Sequence, residues 1–407
     1  MSKLSTSKHP LRILTAVPIC DGHDSAIITI NLELAHHGVE VIYMGYDRAA
    51  SAIARAAIQE DVHAVGISSY NGGHIEFFAE VADRLHKYGG SDIPIFGGGG
   101  GTITPDDERV MKRRGACDRI FYAGTPLKEI VATIINSYGR ALGKHGGLKG
   151  DRKISREITV AESKNGGAGV PPVHKQKTQA GRLRHQSDNR KPKIQNPKSF
   201  VVGVTGPGGA GKSTMIDELV LRFLKKRPTG RVAVLANDPS HPDSGGAILG
   251  DRATMINTQH DRVFMRSLAT RGSLTGIAAA APAAIDVLRN SGEFDLIFVE
   301  SVGIGQESDP FRLFGRGGKL VDATLAVMTP YYGGRIQLQK IGVLSGADFV
   351  AVNKCDHPAA KTARVEIGQI LDGNRKGQKL FGTIAARHAD KGVDELFDNI
   401  ADKAKLK

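Results

Sequence analysis

Short apolar runs alternate with amphipathic stretches in both halves of the chain. In the first half, residues 13–19, 39–46, 64–69, 93–96 and 119–122 are brief and rich in β-branched or aromatic side chains, as buried strands are. Stretches between them, such as Ala50–Gln59 and 75–87, carry apolar residues at helical spacing. Five strands interleaved with helices predict a parallel, doubly wound sheet. Ligands in such sheets sit beyond the carboxyl ends of the strands, where Asp21, Ser68 and Gly97 fall.

The second half repeats the scheme with different punctuation. An apolar run at 200–204 meets a glycine loop and then a helix that begins at Lys212. Further strands are expected at 231–236, 296–300, 323–328 and 349–353, and a last helix at 392–401. The expected fold class is α/β, with two doubly wound parallel-sheet domains at residues 1–142 and 200–407 joined by a segment at 143–199.

That segment explains the charge. The chain carries +13 overall, and residues 143–198 hold 14 Lys and Arg against 4 Asp and Glu. The stretch is rich in Gly, Pro, Gln, Asn and Ser and is poorly suited to bury a core, so it reads as a solvated basic linker rather than a nucleic-acid arm. Aromatic content of 5% without Trp also argues against stacking platforms for single strands. No apolar run approaches the ~20 residues a membrane helix needs, and residues 1–10 lack a secretory core. Cys20, Cys117 and Cys355 are far apart with no Cys-x-x-Cys pair, which fits a reducing cytosol and offers no disulfide or zinc framework. A cytoplasmic protein without membrane or nucleic-acid partners is expected.

Gly206-Pro207-Gly208-Gly209-Ala210-Gly211-Lys212-Ser213 meets the full phosphate-loop pattern between a strand and a helix. Its glycines let backbone N–H groups converge on phosphate oxygens at a helix N-terminus. Lys212 suits the β- and γ-phosphates, and the Ser213 hydroxyl suits Mg²⁺. Asn353-Lys354-Cys355-Asp356 follows a late strand. The Asp356 carboxylate only accepts hydrogen bonds, so it fits the N1–H and amine of guanine, whereas adenine offers no such donor pair. Asn353 and Lys354 support that loop and cover the ring, and Thr383-Ile384-Ala385 is a weaker candidate for the base pocket. Between these motifs, Glu300 ends a strand and suits Mg²⁺ through water, while Gly303 suits a switch hinge at the γ-phosphate. Asp238 and Asp251 are further hard oxygen ligands; each of the three carboxylates also reads as a solvated loop charge or helix cap.

Asn237-Asp238-Pro239-Ser240, Ser244-Gly245-Gly246-Ala247, Gly250-Asp251-Arg252, the run from Met265 to Gly272, Glu300-Ser301-Val302-Gly303-Ile304-Gly305-Gln306 and Asn353-Lys354-Cys355-Asp356 together resemble the MeaB/ArgK family, G-protein chaperones of cobalamin-dependent acyl-CoA mutases. The resemblance covers residues 200–407, and glutamate stands where most GTPases have the aspartate of the third motif. It implies Mg²⁺ held by Ser213, Asp238, Asp251 and Glu300, with Asn237 and Ser301 nearby. Thr254 stands where fused relatives carry a nucleotide-contacting arginine. Residues 154–162 resemble the helix preceding the GTPase, so part of the linker is expected to be helical.

Asp21-Gly22-His23 directly follows the first strand. A neutral imidazole can bind cobalt while a carboxylate two residues earlier fixes its tautomer. Taken alone the motif is weak in a chain with 14 histidines. Ser68-Ser69-Tyr70 and the run from Gly97 to Gly101 end two further strands, and with Asp21-Gly22-His23 they resemble the flavodoxin-like cobalamin-binding domain of methylmalonyl- and isobutyryl-CoA mutases and of methionine synthase, over residues 11–142. That resemblance implies His23 as the cobalt ligand, Asp21 as its orienter, Ser68 as a contact to the displaced dimethylbenzimidazole tail, and Gly97, Gly98 and Gly99 as the floor of a slot. Ala26 stands where the family usually has glycine. His36, His37, His74 and His86 are assigned to surface or helix positions.

The domain order resembles the front of fused isobutyryl-CoA mutase, whose (β/α)₈ substrate domain of about 250 residues has no counterpart here. The expectation is a GTPase that carries adenosylcobalamin, binds GTP/GDP and Mg²⁺, and works in a homo- or hetero-oligomer with a separate acyl-CoA mutase large subunit that performs the isomerisation. A cobalamin sensor or trafficking GTPase, and an N-terminal fragment of a fused isobutyryl-CoA mutase, are the alternatives.

Overall fold

The computed structural model describes residues 10–19, 21–139, 142, 147–165, 199–273, 275–303, 309–313, 318–331, 342–373 and 377–406. Cys20, the Ile304-Gly305-Gln306 part of the third motif and residues 166–198 of the basic segment lie outside them.

The first domain runs β1 (Arg12–Ala16), α1 (Ser25–His36), β2 (Glu40–Tyr43), α2 (Ala50–Gln59), β3 (Ala64–Ser68), α3 (His74–Lys87), β4 (Ile95–Gly98), α4 (Pro105–Arg113), β5 (Arg119–Phe121) and α5 (Leu127–Tyr138). Its strands lie in the order 2-1-3-4-5, all parallel, the flavodoxin-like winding whose ligand crevice opens between β1 and β3. The fourth strand sits two residues later than the apolar pattern suggested. Pro94 has no N–H to donate and only accepts from Val65, so the ladder starts at Ile95 and takes in Gly97 and Gly98. α4 starts at a capping box: Thr104 Oγ1 accepts from the Asp107 amide while the Asp107 carboxylate accepts from the Thr104 amide.

The second domain follows α6 (Gly150–Asn165). It runs β6 (Phe200–Thr205), α7 (Lys212–Lys226), β7 (Val232–Asp238), β8 (Ala247–Leu249), α8 (Asp251–Thr254), β9 (Val263–Ala269), α9 (Ala281–Ser291), β10 (Leu296–Glu300), β11 (Arg312–Leu313), β12 (Gly318–Lys319), β13 (Ala323–Met328), α10 (Gly342–Gly346), β14 (Phe349–Val352), α11 (Ala360–Gly373), β15 (Lys379–Gly382) and α12 (Lys391–Lys403). Seven of its strands form one parallel sheet in the order 15-14-13-6-10-7-9. Its apolar core, with Val204, Leu219, Phe223, Phe298 and Leu325 fully buried, holds β6 at the centre of the sheet, so the phosphate loop emerges from a strand paired on both sides.

Two features depart from the sequence reading. β8 leaves its own domain and adds to β2 as a sixth strand of the first sheet, and Ala247 and Leu249 join that sheet's core. The helix expected over residues 154–162 runs Gly150–Asn165 and is wedged between the domains rather than solvated. Ile154 and Ile158 pack into the second domain's core, while Ser155 Oγ donates to Ile58 O at 2.7 Å and Arg156 pairs with Asp61 at 2.7 Å. Part of the basic segment's charge is therefore spent in buried ion pairs.

The seam continues as a charged network. Glu60, fully buried, accepts from Arg12 (2.7 Å), Arg252 (2.7 Å) and the Ser267 amide (3.0 Å). Glu40, equally buried, accepts from Arg12 and Arg271, and Arg266 pairs with Glu162 at 2.6 Å. Burial raises the carboxyls of Glu60 and Glu40, but the surrounding arginines (Arg252, Arg12 and Arg266 for Glu60; Arg271, Arg12 and Arg266 for Glu40) outweigh it and hold both below the ordinary range. Such pairs add little net stability, yet removing one partner costs about 3–5 kcal/mol because the other charge is left buried alone.

Candidate functional site

On the first sheet, the loop after β1 meets the loop after β3 at the switch point. The His23 ring is largely exposed at 68%, and its Nδ1 lies 2.9 Å from Asp21 Oδ1. Asp21 is buried; its Oδ1 also accepts from the His23 amide and its Oδ2 from the Tyr70 amide at 2.6 Å. Burial would raise the Asp21 carboxyl, but the Tyr70 amide and the His23 contacts prevail and hold it below the usual value. An ionised Asp21 accepts a hydrogen bond from Nδ1–H, which places the proton on Nδ1 and leaves the Nε2 lone pair for a metal.

Beside this pair is a cavity of about 180 Å³ lined by Ala26, Ser68, Tyr70, Gly97, Gly98 and Gly99, among others. The glycines serve the protein's own packing as much as any ligand. A Cβ on Gly97 would meet the Phe78 ring and Ile67 O, and one on Gly99 would collide with Ser69 O. Sequence reasoning passed over Tyr70 as a site residue. Its ring lies 5.1 Å from the His23 ring and presses on Gly100; its place in Ser68-Ser69-Tyr70 was the available signal. His74, assigned to a surface or helix position, is the first residue of α3 and is buried with Nε2 3.3 Å from Asp107 of the α4 capping box.

On the second sheet, the phosphate loop is shaped by contacts that only glycine allows. A Cβ on Gly206 would strike Val327 O, and Gly211, in the left-handed region at φ 87°, leaves room for the Asn353 amide. Gly303 faces Gly208 and Lys212 Nζ so closely that a side chain would collide with both. Lys212 Nζ donates to Gly206 O (3.3 Å) and Pro207 O (3.1 Å), folded back over the loop it would serve. Gly208, Gly209 and Ala210 complete the turn into α7.

The Ser213 hydroxyl donates to Glu300 Oε1 at 2.8 Å and lies 3.5 Å from Asp251 Oδ1. Burial, then the neighbouring Asp251 charge, raises Glu300 to about 8 despite Lys212 and Ser213. Burial likewise raises Asp251 to about 6, and burial with Asp251 and Glu300 nearby pushes Asp238 well up. Asp238 Oδ2 and Glu300 Oε2 are buried without a hydrogen-bond partner. Such unsatisfied, mutually repelling oxygens fit a divalent cation. No set of three His, Cys, Asp or Glu among the described residues is arranged to hold an ion unaided, which suits a metal completed by phosphate and water. Asn237 and Ser301 spend their side chains on protein partners. Asn237 Nδ2 donates to Glu300 O and its Oδ1 accepts from Ala278, while the Ser301 hydroxyl donates to Thr205 Oγ1. They shape the strand ends and, in this arrangement, present no free atom to an ion.

The base-side loop closes the site. Asn353 Nδ2 donates to Ala210 O at 2.9 Å and its Oδ1 accepts from the Ala385 amide at 2.9 Å, tying the phosphate loop to Thr383-Ile384-Ala385. Lys354, Asp356, Ile384 and Ala385 line a cavity of about 400 Å³ with Thr214, Tyr331 and His357. Tyr331 and His357, which sequence reasoning missed, lie with ring centroids 4.3 Å apart and planes tilted by 54°, and Lys354 Nζ lies 6.0 Å from the Tyr331 ring centroid.

Phosphate loop and base loop on one sheet edge define the class: a P-loop GTPase domain behind a flavodoxin-like domain. Residues 171–406 match the family described as methylmalonyl Co-A mutase-associated GTPase MeaB, and residues 11–131 match the B12 binding domain. The chain belongs to the MeaB GTPase family and carries a B12-binding domain ahead of it. It is 34% identical over 433 residues to a fused isobutyryl-CoA mutase of Geobacillus kaustophilus, covering 99% of this chain and 37% of the relative. To the fused isobutyryl-CoA mutase of Cupriavidus metallidurans it is 36% identical over 412 residues, covering 96% of this chain and 35% of the relative. A putative GTPase of Pyrococcus abyssi is 39% identical over 210 residues, covering 50% of this chain and 61% of that protein. The chain thus spans 37% and 35% of the length of the fused relatives. No described helix is long and apolar enough to cross a membrane.

Proposed function

We propose that this chain hydrolyses GTP and carries adenosylcobalamin, and that it acts as the cobalamin-bearing, GTPase-chaperone part of an acyl-CoA mutase whose substrate domain is a separate large subunit. The observation that carries this reading is the pairing, in one chain, of an Asp21-oriented exposed imidazole beside a slot with a phosphate loop facing unpartnered carboxylates. The match to fused isobutyryl-CoA mutases over nearly the whole chain supports the combination.

For hydrolysis, Lys212 leaves the Gly206 and Pro207 carbonyls and turns to the β- and γ-phosphates. The loop amides cradle the phosphates and Gly303 lets the chain approach the γ-phosphate, so water attacks in line. Ser213, Asp251, Glu300 and Asp238 would hold Mg²⁺, directly or through water, and the chemistry supplied there would be neutralisation of charge on the phosphate oxygens. Asp356 selects guanine. In the first domain, Asp21 holds the imidazole tautomer, His23 Nε2 would be the nitrogen that holds cobalt, and the slot lined by Ser68, Gly97, Gly98 and Gly99 would take another part of the cofactor.

The seam between the domains supports gating of cofactor loading or protection by the nucleotide, because β8 lies on the first sheet's edge while Asp251 faces Ser213. A second reading, that these domains are the leading part of a fused isobutyryl-CoA mutase, is favoured by the chain matching about 35–37% of those relatives. Calorimetry with GTP and ATP is the first test of the nucleotide half. Tighter GTP binding that Asp356→Ala abolishes is expected; equal affinity for both nucleotides contradicts it.

A further inference from the structure

Asp251 is held from both sides by the other domain. On its N-terminal side, β8 pairs in register with β2, Ala247 opposite Glu40, Ile248 opposite Val41 and Leu249 opposite Ile42. Entry to that strand is tight: a Cβ on Gly246 would collide with Ala35 O and come within 2.9 Å of Val39 O, and Ser244 Oγ donates to Ala35 O at 2.7 Å. On its C-terminal side, the next residue is Arg252, buried at 3% exposure. Its Nε donates to Glu60 Oε1 at 2.7 Å and its Nη2 to Gln59 Oε1 at 3.1 Å and Met265 O at 2.5 Å. α8 spans only Asp251–Thr254, too short to fix the carboxylate by its own packing.

We propose that Glu60, at the end of α2 in the first domain, is a positioning residue of the nucleotide site: through Arg252, and together with the β2–β8 pairing, it sets where the Asp251 carboxylate stands relative to Ser213 and Glu300. This rests on the reading of those oxygens as the Mg²⁺ side of a GTP site. A purely adhesive role for the Glu60–Arg252 pair would make its loss a matter of stability alone. A positioning role makes it a matter of metal affinity at unchanged nucleotide affinity. Partners of metal ligands, when altered, typically shift metal affinity about 10–100-fold.

The test uses the full chain and a fluorescent GDP analogue, titrated with Mg²⁺, alongside thermal melting and circular dichroism. Glu60→Gln removes the carboxylate charge that Arg252 and Arg12 face. Gly246→Ala leaves every charge in place and pushes β8 off the sheet edge, so it carries the test if Glu60→Gln does not fold. The expected result is a Mg²⁺ midpoint raised about 10–100-fold in the folded variants, with affinity in EDTA unchanged because the phosphate and base loops are untouched. Arg252→Lys, which keeps a charge beside Glu60, is expected to fall between. Folded variants with the wild-type Mg²⁺ midpoint would overturn the proposal and leave the GTPase reading intact. A wild-type protein that binds the nucleotide without any Mg²⁺ dependence would overturn the metal reading itself, and the positioning role with it.

Discussion

The carboxylates of the two sheets are prepared in opposite ways. Asp21 has both oxygens engaged by the chain, two amides and an imidazole, and its carboxyl is held low. Asp238, Asp251 and Glu300 crowd together with oxygens left over, and their carboxyls are pushed up. One site is complete in itself and presents a finished ligand; the other is electrostatically unfinished and stabilised by what it binds. A permanent cofactor suits the first arrangement, and a nucleotide that arrives and leaves with its ion suits the second.

The largest expected effect falls on the unfinished site. Lys212→Ala removes the cation folded over the phosphate loop, and GTP turnover measured by phosphate release should fall roughly 10²–10³-fold, the usual loss of a preorganised charge donor. A smaller effect is expected on the finished site. Asp21→Asn keeps the shape but frees the His23 tautomer, and cobalamin affinity by absorbance titration should weaken about 10–100-fold; an unchanged affinity would remove the orienting role. Smallest is a pH effect that should belong to the second sheet alone. Glu300 rises from 4.5 to about 8 and Asp251 from 3.8 to about 6 in the folded chain. The native state therefore binds more protons than the unfolded one between those values, and stability falls as pH rises through the window. Melting temperature without metal should drop from pH 5 toward pH 8, and Mg²⁺ with GDP should flatten the slope. Glu300→Gln should flatten it as well; a slope unaffected by either would break the contrast.

What the sequence made legible is what depends on backbone shape. Phosphate loop, guanine loop and Asp21-Gly22-His23 are short runs whose spacing already contains their geometry, and strands such as β3 and β13 are plain apolar runs. Contacts distant in the chain were not legible. β9 reads as an ordinary strand only once Arg266 is known to be buried against Glu162, since a charge inside an apolar run signals exposure by itself. β8 has three residues and pairs with a strand some 200 positions earlier, beyond any local pattern. Glu60 and Arg252 look like surface charges until α2 and α8 face each other across the seam. Tyr70 was visible in its motif, but its ring's approach to His23 comes from the crossing of two loops.

The claim that one polypeptide holds both kinds of site is tested most directly by the absorbance spectrum of adenosylcobalamin mixed with the wild-type chain and with His23→Ala. A tail-displaced, imidazole-ligated spectrum in the wild type, lost in the variant while GTP binding persists in both, is the predicted result. Identical spectra in the two proteins, or no corrinoid uptake by either, would contradict it.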